Sequence, residues 1–346
     1  MFKNYKGAIH IHSTLSDGTG NLKDIVKSAK SAGLDFIIIT DHNHYDTEEG
    51  IFDGIYVIKG EEISPQNCNH YLALGINEEI LPEDNPQIYV DKVHTQGGFG
   101  FAAHPNEGFN ENGEERKNSH RCIPWTDKNI KPDGVEIWNW FSNWADNLDD
   151  RNIFKLAYCY LFKHCITTNP SKLTLEWWDK LNNETENVVP AIGGVDAHAL
   201  KFYKYIYPVT VFSYKTCFNT VTNVIYLEEK LSEDFLIAKK QILNAIRAGN
   251  NTILNRHTLN FIPQICIKNV DKIYYCGQKT ELSKDLCIKI NSKKTLEILL
   301  VYNGKEVEKY KGRFFNIPIE KAGKYRIEAS YKGKKFLYTN PFLIQG

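Results

Sequence analysis

Gly7-Ala8-Ile9-His10-Ile11-His12-Ser13-Thr14-Leu15-Ser16-Asp17-Gly18 is the stretch on which the reading of this 346-residue chain turns. An apolar strand gives way here to polar residues. His10 and His12 stand two apart, which on a strand places them on the same face. Asp17 follows in Ser16-Asp17-Gly18, a turn-forming tripeptide. Two imidazoles at a strand end, with a carboxylate folding back over them, are how a metal site begins. With 11 His in the chain, an H-x-H pair arises easily by chance, so the surrounding sequence must supply context.

That context is a series of short apolar runs with polar groups at their ends. Phe36-Ile37-Ile38-Ile39 ends at Thr40-Asp41-His42, and the run from Ile55 to Ile58 leads into Gly60-Glu61-Glu62-Ile63-Ser64. His70 precedes the strand Tyr71 to Ile76. Phe99 to Ala103 ends at His104-Pro105, Val135 to Trp138 ends at Asn139, and Val188 to Gly194 leads into Asp196-Ala197-His198. Continuous apolar runs fit strands buried on both faces. Helices are expected between them. One is capped by Asn21 and closed by Gly33, one starts at Asn85-Pro86, and one spans Ser171 to Leu181. Another opens at Leu231-Ser232, with Ser232 as cap and Leu231 and Leu236 as a hydrophobic staple, and runs to Gly249. In barrels and open α/β sheets the C-terminal strand edge carries the active site. The candidate ligands are therefore His10, His12, Asp17, His42, Glu62, His70, His104, Asp196 and His198.

The neighbouring residues read differently. Glu61 and Glu62 are adjacent and should point to opposite faces of their strand, and only the motif match G60-E-E62-I-S64 selects Glu62. Asp41 reads as a supporting carboxylate and His44 as part of the site's mouth. His94, His120, His164 and His257 read as surface or core residues, and Trp138, Trp140 and Trp144 as core. A long polar insertion, Asn106 to Lys131, holds Arg116, Lys117 and Arg121. Most of its charges read as solvated, while its length also suits a lid over the barrel mouth from which one cation reaches a phosphate.

The chain is long for one core, so two domains are expected. Beyond about Leu254 come short strands separated by Gly- and Lys-rich turns, as in a small β-sandwich. Lys and Arg balance Asp and Glu, so overall charge supports neither nucleic-acid nor membrane binding, while a local basic pocket stays open. No apolar run is long enough to span a membrane, and the N-terminal residues do not read as a signal peptide. A cytoplasmic location is expected, with the eight scattered Cys as reduced thiols.

In order, H10-I-H12, T40-D41-H42, G60-E-E62-I-S64, His70, A103-H104-P105 and D196-A-H198 resemble the motifs of the PHP superfamily. These are the polymerase-and-histidinol-phosphatase metallohydrolases, and the resemblance covers roughly residues 7 to 200. E136-I-W138-N139, G193-G-V-D-A-H198, Y207-P-V-T-V211 and L243-N-A-I-R-A-G249 resemble the carbaryl-hydrolase-like branch. The resemblance implies an α/β fold, a distorted seven-stranded (β/α) barrel over 1–253, followed by a small all-β sandwich over 254–346. It implies two to three divalent metal ions, Mn, Fe or Zn. One would take His10, His12, Glu62 and Asp196. A second would share Glu62 and add His70 and His104, and a third would take Asp17, His42 and His198. Asn139 and Arg121 are candidate substrate contacts. Closely spaced metals make hydroxide available at neutral pH and clamp phosphate oxygens. The preferred function is a metal-dependent phosphoesterase hydrolysing a small nucleotide-like mono- or bisphosphate with a metal-bound hydroxide. Hydrolysis of a carboxyl ester, carbamate or amide at the same site stays open, as does a non-catalytic metal-binding module. The expected partner is a small molecule, with neither nucleic acid nor membrane.

Overall fold

Phe36, Ile37, Ile38 and Ile39 are fully buried, as a strand covered on both faces requires. They lie at the heart of a mixed sheet. The computed structural model describes residues 3–116, 123–146, 169–204 and 207–346, without the side chains of 202–204 and 207–209. Lys117, His120, Arg121, Cys122, Cys159, His164 and Cys165 lie outside the described residues.

In chain order the first part contains β1 (Lys3–Ile9), α1 (Leu22–Ser31), β2 (Phe36–Ile39), β3 (Gly50–Phe52), β4 (Ile55–Ile63) and β5 (Tyr71–Leu74). There follow α2 (Pro86–Thr95), β6 (Phe99–Ala102), β7 (Gly134–Asn139), α3 (Trp140–Ala145), α4 (Lys172–Asn183) and β8 (Ala191–Gly194). The paired strands β9 (Lys201–Lys204) and β10 (Tyr207–Thr210) come next, then α5 (Tyr214–Cys217), β11 (Val221–Leu227), α6 (Phe235–Arg247) and β12 (Asn251–Asn255). β1 pairs parallel with β2, and β2 with β4. β5 runs antiparallel to both β4 and β6, while β6, β7 and β8 are parallel. The chain leaving β8 is tied to the chain leaving β1. Val195 N donates to Ile9 O at 3.0 Å, and His12 N donates to Ala197 O at 3.0 Å. Because β5 is reversed, its N-terminal end reaches the rim where the parallel strands finish, and this carries His70 there.

Helix starts follow local chemistry. Asn21 accepts from Asp24 N at 3.0 Å, and Asn85 accepts from Gln87 N at 3.0 Å ahead of Pro86. At α6 the expected cap is corrected. Asp234 is the cap and accepts from Ile237 N at 3.1 Å, while Ser232 Oγ accepts from Asp234 N. The helix therefore starts later than expected, which turns Leu236 outward (71% exposed) while Leu231 is buried, so no staple forms. β3, α3, α5, β9, β11 and β12 have no counterpart in the sequence reading, although V221-T-N-V-I-Y-L227 is a fully buried apolar run.

The rest of the chain is β-rich: β13 (Gln264–Lys268), β14 (Ile273–Tyr274), β15 (Lys279–Glu281), β16 (Cys287–Tyr302), β17 (Lys305–Pro318), β18 (Gly323–Tyr331), β19 (Lys334–Thr339) and β20 (Phe342–Gln345). The long β16 serves two sets of partners. Its start pairs with β13 and the end of β17, and its second half pairs with β18 and the start of β17, across a register shift after Asn291. Ile267, Ile288, Leu296, Ile327, Phe336 and Phe342 form a separate buried core. β19 pairs with β12, so hydrogen bonding continues from this region into the first part. Asn340 adds a stitch, with its Nδ2 donating to Ala191 O and Asn251 O at 3.0 Å each. On β18, Lys324 donates to carbonyls at and beyond the end of α4, and Arg326 pairs with Asp179 and Glu328. The buried Lys324 is thus hydrogen-bonded to carbonyls and the buried Arg326 is charge-paired. No helix among the described residues is long and apolar enough to cross a membrane.

Candidate metal centre

The first ligand pair corrects the simple strand reading. β1 ends at Ile9, and His10 has φ 68°, in the left-handed region. His104 (φ 29°) and Asp196 (φ 49°) also have positive φ. A residue with a side chain holds such a backbone only where its surroundings over-determine it. At all three positions the chain leaves a strand and turns. His10 and His12 meet, with ring centroids 5.2 Å apart, through this turn rather than through strand alternation.

Glu62 lies at the centre. Its Oε1 is 2.8 Å from His70 Nδ1 and 3.2 Å from His104 Nε2. Its Oε2 is 3.0 Å from His42 Nδ1, 3.2 Å from His10 Nε2 and 3.3 Å from His12 Nε2. Asp196 Oδ1 is 3.3 Å from His198 Nδ1 and 3.4 Å from His12 Nε2. Asp17 Oδ1 is 3.1 Å from His198 Nε2 and 3.8 Å from both His12 Nδ1 and His42 Nε2. All nine candidates fall into four overlapping groups whose donor atoms lie within 4.8 Å of one another. His42 belongs to two of these groups, reaching Glu62 through one ring nitrogen and Asp17 through the other. The side chain of Asp17 is 53% exposed and marks the open edge of an otherwise buried cluster.

Several donors are left without hydrogen-bond partners: His10 Nε2, both ring nitrogens of His12, Glu62 Oε2 and His198 Nε2. Buried lone pairs facing each other in this way fit coordinated cations, and mixed imidazole and carboxylate donors suit Zn, Mn or Fe. Burial would lower His10, His42 and His104, but the surrounding carboxylates hold all three above the ordinary imidazole value, so the cluster favours positive charge. Burial alone would raise the Glu62 carboxyl, but His42, His10 and His70 hold it well below its ordinary value. Burial likewise opposes Asp196, and His10 and His198 outweigh it. Burial, with His198 and His42, pushes His12 down to about 3, so its ring is neutral, as a ligating imidazole must be.

One supporting residue escaped the sequence reading. Glu136 is buried, and its Oε1 accepts from His10 Nδ1 at 2.7 Å. Its Oε2 accepts from His104 N at 2.7 Å and from Asn139 Nδ2 at 3.1 Å. This fixes the His10 tautomer with Nε2 facing inward. A Cβ at Gly194 would lie 1.6 Å from Glu136 Oε1, so glycine is required there. The signal was available, since Glu136 is a charge inside the buried strand G-V-E-I-W-N. Glu107 was also missed, and its Oε2 lies 3.2 Å from His104 Nδ1.

Other candidates have local duties. Asn139, expected at the substrate, caps α3 by accepting from Ser142 N at 2.8 Å, and its Nδ2 faces Glu136 and Asp196. Asp41 accepts from Ser13 N, Ser13 Oγ, Ser16 Oγ and Thr47 Oγ1, which anchors the loop bearing Asp17. Glu61 points away from the cluster, and its Oε2 accepts from Ile80 N at 2.9 Å. Arg116 is engaged locally, donating to Phe109 O in its own loop and to Asp146 O at the end of α3. His44 lies 3.5 Å from Glu79, and His94 pairs with Asp133 at the surface. Cys68, Cys266, Cys276 and Cys287 are free thiols.

Comparison with known proteins adds a family match over part of the chain. Residues 8–83 match the PHP domain. The uncharacterized protein MJ1587 of Methanocaldococcus jannaschii is 26% identical over 185 residues, which are 46% of this chain and 99% of that protein. The DNA polymerase/3'-5' exonuclease PolX of Bacillus subtilis is 30% identical over 92 residues, 25% of this chain but only 16% of PolX. Among solved structures, a two-domain protein of Bacteroides vulgatus containing a predicted PHP-like metal-dependent phosphoesterase is similar over 98% of this chain and 95% of its own, with 16% identity and a TM-score of 0.48. PsfC of Pseudomonas syringae is similar over 71% of this chain and 90% of its own, with 12% identity and a TM-score of 0.41. The PHP-domain match over residues 8–83 and the convergent donor clusters together support a metal-dependent hydrolase site.

Proposed function

We propose that the chain is a metal-dependent phosphoesterase acting on a small nucleotide-like mono- or bisphosphate. The number of convergent donors carries this reading. Nine side chains in four overlapping groups exceed what a single closed four-ligand site needs. In this reading His10, His12, Glu62 and Asp196 hold one ion, Glu62, His70 and His104 a second, and Asp17, His42 and His198 a third. Bound ions supply Lewis acidity, lower the pKa of water and draw phosphate oxygens into place. The chain's own part is orientation. Glu62 offers one carboxylate oxygen to each side of the cluster, Glu136 holds the His10 ring, and Asp41 holds the Asp17 loop at the edge where substrate enters. The seven strands β1, β2, β4, β5, β6, β7 and β8 are read as a distorted barrel, with the chain dividing near residue 253 from a sandwich-like tail.

The test is metal analysis of protein purified without chelators, joined to a panel of p-nitrophenyl phosphate, a phosphodiester and a carboxyl ester. The expected result is phosphate ester turnover that is lost on chelation and restored by Mn, Fe or Zn. Activity on the carboxyl ester alone would favour the carbon-ester chemistry of the carbaryl-hydrolase-like branch. No turnover with any metal would leave a binding module.

A further inference from the structure

The balanced total charge conceals a division. Residues 254–346 hold 18 Lys and Arg against 8 Asp and Glu, a net charge of +10, so residues 1–253 carry −10. Charge asymmetry of this kind between parts of a chain points to a polyanionic partner. Some of these cations are used internally: Arg256 is buried and donates to Phe218 O and Ala32 O, and Lys309, Lys311 and Lys335 face carboxylates. Lys324 and Arg326 are buried against the first part, but Lys272, Lys279, Lys284, Lys293 and Lys294 are exposed.

The outer face of β13, β16 and β17 gives the charge a shape. The register sets Gln264, Asn291 and Phe314 in one row and Cys266, Lys289 and Asn316 in the next. With Lys268 they line a groove of ≈ 450 Å³. Phe314 is 68% exposed, whereas Phe315 beside it packs against the core. The Arg313 guanidinium lies 5.7 Å from the Phe314 ring centre. An exposed ring on a sheet, with lysines and amides around it, has the parts of a platform on which bases stack while the phosphates follow the positive groove.

We propose that this face binds single-stranded nucleic acid, with a base on Phe314 and phosphates at Lys268 and Lys289. A flat bilayer would touch the rim of the groove rather than its floor. An acidic peptide would leave the ring without a stacking partner. The expectation of no nucleic-acid partner came from the summed charge, which hides the basic tail. This inference is independent of the metal-centre reading, because it is read by binding and not by turnover.

The experiment uses the full chain and a fluorescein-labelled oligo(dT) or oligo(U) about a dozen nucleotides long, with anisotropy measured across a salt series. Binding should weaken with salt at a log–log slope of about −0.7 per phosphate contacted. Phe314→Ala should weaken it about tenfold. Lys268→Glu with Lys289→Glu should weaken it by at least about tenfold and flatten the slope. Lys284→Glu, outside the groove, should change it by less than about twofold. Thermal melts of each variant confirm an intact fold. The proposal is overturned by no binding at low salt. It is equally overturned if Lys284→Glu weakens binding as much as the groove variants do, since the charge would then act diffusely. Binding to phosphatidylserine vesicles without binding to either oligonucleotide overturns it too.

Discussion

Glu61 and Glu62 are neighbours on β4 with opposite fates. Glu62 meets five imidazoles, and Glu61 meets the backbone of Ile80. Glu62→Gln removes charge from the centre of the cluster and should lower kcat/KM about 100-fold or more, with loss of bound metal. Glu61→Gln should stay within about threefold on both measures, as an uncharged isostere outside the cluster. Similar behaviour of the two variants would show that the central carboxylate is misassigned. Glu61 has a pH signature instead. Burial raises its carboxyl from 4.5 to about 8. The folded state therefore keeps a proton that the unfolded chain has released, so this stability contribution is complete below about pH 4.5 and is lost as pH rises through about 8. Urea unfolding across that range should show a smaller alkaline loss for Glu61→Gln than for the parent. Glu136→Gln keeps the shape but weakens the anchor on His10. It should cost roughly 10–100-fold in metal affinity, measured by titration against a competing chelator.

Elements were legible wherever their signals are local. Asn21 and Asn85-Pro86 mark helix starts within one turn, so α1 and α2 could be placed from the sequence. At α6, Ser232 and Asp234 are both capping residues two apart, and only the path of the backbone decides between them. Asp234→Ala should therefore lower stability by about 1 kcal/mol in urea unfolding, and Ser232→Ala by a smaller amount. The reverse order would return the cap to Ser232. The first half of β17 was invisible for another reason. Residues 305–309 are exposed throughout, and none of β17's outer edge is paired among the described strands, so no apolar alternation marks it. Within β16, Lys293, Lys294 and Thr295 interrupt the apolar pattern where the register shifts, so one long strand has the sequence pattern of two short ones.

At the scale of the molecule, the two regions are joined by a β12–β19 ladder, by Asn340 and by the charged face of β18. Removing residues 254–346 would uncover Trp138, which stacks edge-on with Tyr338 at 5.7 Å, and would leave Asp179 without Arg326. Residues 1–253 alone should therefore melt at lower temperature or aggregate. Fused to a solubility partner, they should retain metal and turnover, because none of the nine clustered donors comes from the tail. Metal retained with turnover abolished would mean that the tail reaches the active site.

The sequence by itself determined which side chains could form the site. Their types are encoded locally, and all but Asp17, which sits in a turn, stand close to an apolar run that must become a buried strand. Only the tertiary structure decided how they meet. The inward nitrogen of His10 depends on Glu136, 126 residues away, and its direction depends on a left-handed turn that strand alternation does not anticipate. The same holds for the charges of β18. Lys324, Arg326 and Glu328 look like surface residues of an alternating strand, yet they are buried: Arg326 meets Asp179 of α4, Lys324 meets carbonyls at and beyond the end of α4, and Glu328 meets Arg326 and Lys335. Local chemistry sets what a residue can do. Its partner is set by which distant segments the fold brings within hydrogen-bond distance, and no window of sequence contains both.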